Sequence, residues 1–265
     1  MRVSRRFSCL CLLAFAGSPD ARAGAFMQGE GEGQLISTSR FTSSLQAFDA
    51  RGKLVPVDEY RKYELGYYIE YGAADWITLI LQPTLSRIHK EGPPTGVFNG
   101  IGSVEAGARV LLTRRDDVVF SAQAIARVPG SRDRTNPALV GETDLQFDGR
   151  LLAGTSFEFA GKPFFADAQL GYRTRGGGPP NEIRVDLTLG ARPFAPLSLM
   201  LQSFNIVAPG RGGAGFRSGR QHKLQASAAW DFSKAWTIQS GVFTTVASRN
   251  FRSERGLVTA VWYRF

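Results

Sequence analysis

The residues with chemistry to offer in this 265-residue chain are rarely nucleophilic and often ionic. Its two histidines, His89 and His222, have no nearby serine and carboxylate in the arrangement of an acyl-transfer site. No cluster of His, Asp and Glu has metal-ligand spacing. Gly210-Arg211-Gly212-Gly213-Ala214-Gly215 formally matches the dinucleotide fingerprint, but no helix or βαβ unit follows it. It reads as a flexible loop, as does 176–180. Neither an enzyme nor a cofactor is expected.

What recurs instead is charge at every second position. Lys62, Glu64 and Glu70 share one parity while Tyr63, Leu65, Tyr67, Ile69 and Tyr71 hold the other. Glu105 and Arg109 lie opposite Val104, Ala106, Ala108 and Val110, and Arg127 lies opposite Ala122, Ala124 and Ala126. Asp144, Asp148, Arg150 and Glu158 oppose Leu145, Phe147, Leu151 and Phe157. Asp167 and Arg173, then Arg184, Asp186 and Arg192, then Lys223 and Arg264, continue the pattern. A period of two is the period of a strand, so each segment has one polar and one apolar face.

Twelve such strands are expected, from 34–45 to 257–265, with tight turns at 72–75, 114–117, 161–162, 193–196 and 233–235. The connections at 47–59, 87–97, 129–142, 175–180, 209–220 and 248–255 read as longer. Short turns at one end and long loops at the other suit an up-and-down barrel with both termini on the short-turn side. Trp76, Trp230, Phe232 and Trp236 stand beside the short turns, as an interfacial aromatic girdle would, although strict parity turns Trp76 inward.

The ends of the chain agree. Arg2, Arg5 and Arg6, an apolar run and Ala21-Arg22-Ala23 form a secretory leader, 1–23, with cleavage before Gly24. Both cysteines, Cys9 and Cys11, leave with it, and 32 basic and 23 acidic residues fall to 28 and 22, a net of +6. Nucleic acid is not an expected partner, because the basic residues form no stripe or known module. The last strand ends Tyr263-Arg264-Phe265 with its apolar row on the odd positions, which resembles the C-terminal assembly signal of outer-membrane barrels.

No apolar run after the leader is long enough for a membrane helix, so membrane residence requires a closed barrel. An outward Arg or Lys at mid-bilayer would cost roughly 2–4 kcal/mol, so the charged faces must point inward. The expected fold is an all-β, antiparallel, twelve-stranded transmembrane barrel over 24–265. Residues 71–79, reading YGAADWITL, look like the hairpin of the transporter family associated with the meta-pathway of phenol degradation. That resemblance implies an outer-membrane channel for aromatic compounds. The charged set would line the solute path or cross-link the wall, and its arginines would favour anions.

Two functions are therefore in view: passive uptake of small solutes, aromatic or anionic ones included, or a non-conducting anchor whose basic loops bind lipopolysaccharide. Outer-membrane lipid and the barrel-insertion machinery, through Tyr263 and Phe265, are the expected partners. About ten residues separate Gly24 from the first strand, too few, on this reading, for a plug.

Overall fold

The structure, a computed structural model, describes residues 24–210, 212, 213 and 215–265. The leader and its cleavage site lie outside the described residues, as do Arg211 and Ala214 of the glycine-rich loop. Twelve antiparallel strands follow in order: β1 (Gly33–Phe48), β2 (Leu54–Ala74), β3 (Ile77–Lys90), β4 (Gly96–Arg115), β5 (Val118–Pro129), β6 (Gln146–Phe159), β7 (Lys162–Arg175), β8 (Glu182–Phe194), β9 (Leu197–Ala208), β10 (Gly219–Asp231), β11 (Trp236–Arg249) and β12 (Arg252–Arg264). Each pairs with its neighbours in sequence, and β1 pairs with β12 to close the barrel. Closure leaves no strand edge unpaired, as a wall in lipid requires.

The alternation decides the faces. Phe147 and Leu151 are 54% and 59% exposed on the outer surface, whereas Gln146, Asp148 and Leu152, on the other parity, are buried inside. The same holds on β3, where Leu79 and Leu81 face out and Thr78 and Ile80 face in. The two-residue turns carry the backbone that such tight reversals need: Ala160 and Gly161 both have positive φ, as in a type I′ turn. At that end Trp230 meets Phe194 edge to face and Tyr263 stacks between Trp236 and Phe265, forming an outward aromatic rim. Trp76 is exposed within the turn after β2, beyond the last paired residues, so strand parity does not reach it.

The strands at the opposite end run longer than expected. Residues 54–56 and 252–255 pair as strand, and His89, beside Glu91, lies within β3 rather than in a loop. The connection between β11 and β12 shrinks to Asn250 and Phe251. Crossing the hydrocarbon takes only about 9–11 tilted residues, so the 21 residues of β2 extend past it. Beyond the lipid both faces meet water, and the ladder continues without apolar alternation. The longest connection between the strands, residues 130–145, folds back over the mouth. Its one-turn 3-10 helix, Pro137–Leu139, packs Ala138 and Leu139 on Ile88, Tyr60 and Phe98.

Candidate functional site: the barrel interior

The charged residues that share inward parity meet one another inside the barrel. Asp148 bonds both Arg150 (2.6 Å) and Arg173 (2.9 Å), and Arg150 reaches on to Asp186 (2.7 Å). Arg173 and Arg127 converge on Glu105, at 3.7 and 3.2 Å. Glu182, which the sequence reading passed over, takes Arg175 and Arg184 at 2.6 and 3.0 Å. From the folded-back loop Glu142 descends to Arg127 and Arg175. Burial would push the Glu142 carboxyl up, but the Arg127, Lys62 and Arg175 charges hold it below the usual range. The β4 to β8 wall is thereby cross-linked to the loop that covers it.

Nearer the short-turn end, Arg109 and Glu70 are the largest fully buried side chains, 2% and 1% exposed, and bond at 2.9 Å. Tyr68 donates to Glu70 and Gln123 accepts from Arg109, so the pair has the additional hydrogen bonds that make ion burial tolerable. Arg192 and Arg264 share Asp231 at 2.9 and 3.7 Å. Lys62 bonds Glu64 at 2.7 Å, and Lys223 bonds Glu254. Asp144 departs from the expectation: β6 begins at Gln146, and Asp144 sits in the preceding loop, bonded to Arg134. Glu158, at the short-turn end of β6, is exposed.

The few residues that precede β1, too few on the sequence reading for a plug, nevertheless enter the barrel. Residues 24–32 run as a strap along the inner wall from β2 to β7. Gly31 N–H donates to Gly72 O (2.9 Å), Gln28 Nε2 to Glu70 (2.9 Å), and Gln28 N–H to Thr78 (3.1 Å). Arg109 donates to Phe26 O (2.8 Å), Ser121 to Ala25 O (3.0 Å), and Ala25 N–H to Asp167 (2.7 Å). Ala25 and Phe26 are buried. Nine extended residues reach about 30 Å, and strands lie about 4.8 Å apart, so a short segment suffices to cross this wall. Gly72 makes the crossing possible: a Cβ there would stand 2.0 Å from Gly29 O.

The facing wall is different. Met200, Ala229, Ala260 and Trp262 form an apolar cluster with Ile36 and Phe165. Further up, Arg40 shares the parity of the buried Gln34 and Thr42, and its guanidinium lies 5.7 Å from the centroid of the buried Phe243 ring. Arg40 is nevertheless exposed. An inward side chain open to solvent marks water-accessible space within the barrel. Among the described residues no carboxylate lies within ion-pair distance of Arg40, and Glu64, opposite it across the strand pair, is held by Lys62. Arg40 was legible in the sequence through β1 parity, but the polar run around it lacks strong apolar contrast. His222 lies on the outward parity of β10 and contacts Asn205 at 2.8 Å.

No family model matches the chain, and no curated protein matches it in sequence. Solved structures do match its fold. The COG4313 outer membrane channel from Pseudomonas putida F1 superposes with a TM-score of 0.71 at 14% identity, covering 91% of this chain and 98% of that one. The NanC porin gives 0.55 at 8% identity, covering 86% and 98%. The translocator domain of the autotransporter NalP from Neisseria meningitidis gives 0.54 at 12% identity, covering 90% of each. At these identities the likeness establishes the architecture alone: a closed antiparallel barrel of the kind found in bacterial outer membranes.

Proposed function

We propose that this chain is an outer-membrane channel for passive uptake of small solutes, with aromatic and anionic ones the class its free interior suits. The short-turn end, which bears both termini, faces the periplasm. The observation that carries the reading is Arg40, exposed though it points inward, stacked over Phe243 on the side of the lumen that the strap does not cover. A guanidinium beside an aromatic ring attracts anions by charge and aromatic solutes by stacking. The channel and porin among the fold relatives support the same class.

The ion-pair network and the two covering segments favour a second reading, a non-conducting barrel. In that case loop arginines such as Arg132 and Arg134 would engage lipopolysaccharide phosphates. In both readings Tyr263 and Phe265 present an outward aromatic row to the insertion machinery. Planar-bilayer recordings of the wild type and of a variant lacking residues 25–31 separate the two. Current in the wild type that rises on deletion supports the channel. Absence of current from both proteins, with the barrel folded, would sink it.

A further inference from the structure

Asp167 stands apart from the rest of the interior. Its carboxylate is buried on β7, yet among the described residues it has no cation within ion-pair distance. Its partners are two neutral donors, the Ala25 N–H at 2.7 Å and Gln169 Nε2 at 2.8 Å. Arg109, the cation of the same wall, is committed to Glu70, Gln123 and Phe26 O. A buried carboxylate without a counter-charge is costly. The backbone of Gly24 is pressed against it: a Cβ there would lie 2.1 Å from Asp167 Oδ2. The Gly24 nitrogen is one bond angle away from that position, which puts it within about 5 Å of the carboxylate, near enough for a charge there to act on it.

We propose that Asp167 is a binding site for the α-ammonium of the chain's own mature N-terminus, and that this pair docks the strap. The inference rests on leader removal after Ala23. In an uncut chain the Gly24 nitrogen is a neutral amide that cannot compensate Asp167. Cleavage converts it to an ammonium at the buried carboxylate that, among the described residues, has no cation within ion-pair distance, so docking of the strap follows processing. The lack of room for a side chain accounts for glycine directly after the small-x-small site.

The test is chemical and does not depend on whether the barrel conducts. Protein purified from outer membranes should have the mass of a chain beginning at Gly24; any other start overturns the proposal. Its α-amine is then acetylated with an N-hydroxysuccinimide ester in detergent and the N-terminal peptide quantified by mass spectrometry, with the peptide carrying exposed Lys53 as internal standard. In the native barrel the α-amine should react at least about tenfold more slowly than in urea. Asp167→Asn should abolish that protection. Equal native and unfolded rates, or full protection in Asp167→Asn, would overturn it. Because the variant could fail to fold, a second protein keeps Asp167 and adds Gly-Ser ahead of Gly24. Its displaced α-amine should lose protection, and retained protection would count against the site.

Discussion

The strap side and the open side of this interior belong to one barrel and follow opposite rules. Along β2 to β8, carboxylates and guanidinium groups are dense and paired, and several are buried almost completely, as Glu70, Arg109, Asp148 and Glu182 show. Each is held by several partners, and the strap or the folded loop supplies part of the set. Along β9 to β12 and β1, inward positions are mostly amide, hydroxyl or apolar, and the inward cation Arg40 is exposed. Lys62, near the boundary, is also partly exposed, with 23% of its side chain accessible. Charge in a barrel interior therefore does two jobs: where it is dense and paired it closes the lumen, and where it is sparse and wet it can meet a solute.

That contrast can be broken by mutation. Arg109→Ala should have the largest effect on stability, about 3–5 kcal/mol, because it strands the buried Glu70 carboxylate. Arg40→Ala on the wetter side should cost about 1 kcal/mol or less, since it removes only an exposed contact between a cation and a ring. Urea unfolding of the two variants in detergent compares them, and equal losses would erase the distinction between the sides. Gly72→Ala comes next: the added methyl meets Gly29 O, so the strap should lift and bilayer conductance should rise toward that of the strap deletion while the barrel stays folded. Conductance equal to the wild type would show that the strap does not obstruct the path.

Selectivity sharpens the comparison further. Arg40→Glu should move the reversal potential in a salt gradient toward cation preference with little change in unfolding. Arg150→Gln should alter unfolding more than selectivity, since Arg150 is already neutralised by Asp148 and Asp186. The smallest effect concerns the cover. The Glu142 carboxyl is depressed in the folded state, so its contribution to holding the loop is present above the ordinary carboxylate range, near pH 4.3, and is lost as pH falls through the depressed value. Limited proteolysis within 130–145 should accelerate only on that acid side and be flat between pH 6 and about 8.

How much of this was readable beforehand depends on what each residue needed. Strand count, inward charge and the short turns were legible because lipid imposes apolar alternation on every crossing, as at Phe147, Asp148 and Leu151. The outer ends were not: residues 252–255 pair as strand in water, where neither face must be apolar, and so resembled a loop. Asp144 followed the parity of β6 but preceded its first paired residue. The strap escaped notice because GAFMQGEGE carries no periodic signal, and its fit depends on Gly72, Thr78, Ser121 and Asp167, which come together only when the wall closes.

By itself, then, the sequence determined a closed barrel and the side of each strand that faces inward, because a two-residue period and the cost of charge in hydrocarbon are local facts. Which charges pair, which stay wet and what lies across the lumen were decided by the tertiary structure. Those outcomes rest on the distances between strands far apart in the chain, such as the 142 residues that separate Ala25 from Asp167, and no local pattern encodes such a distance.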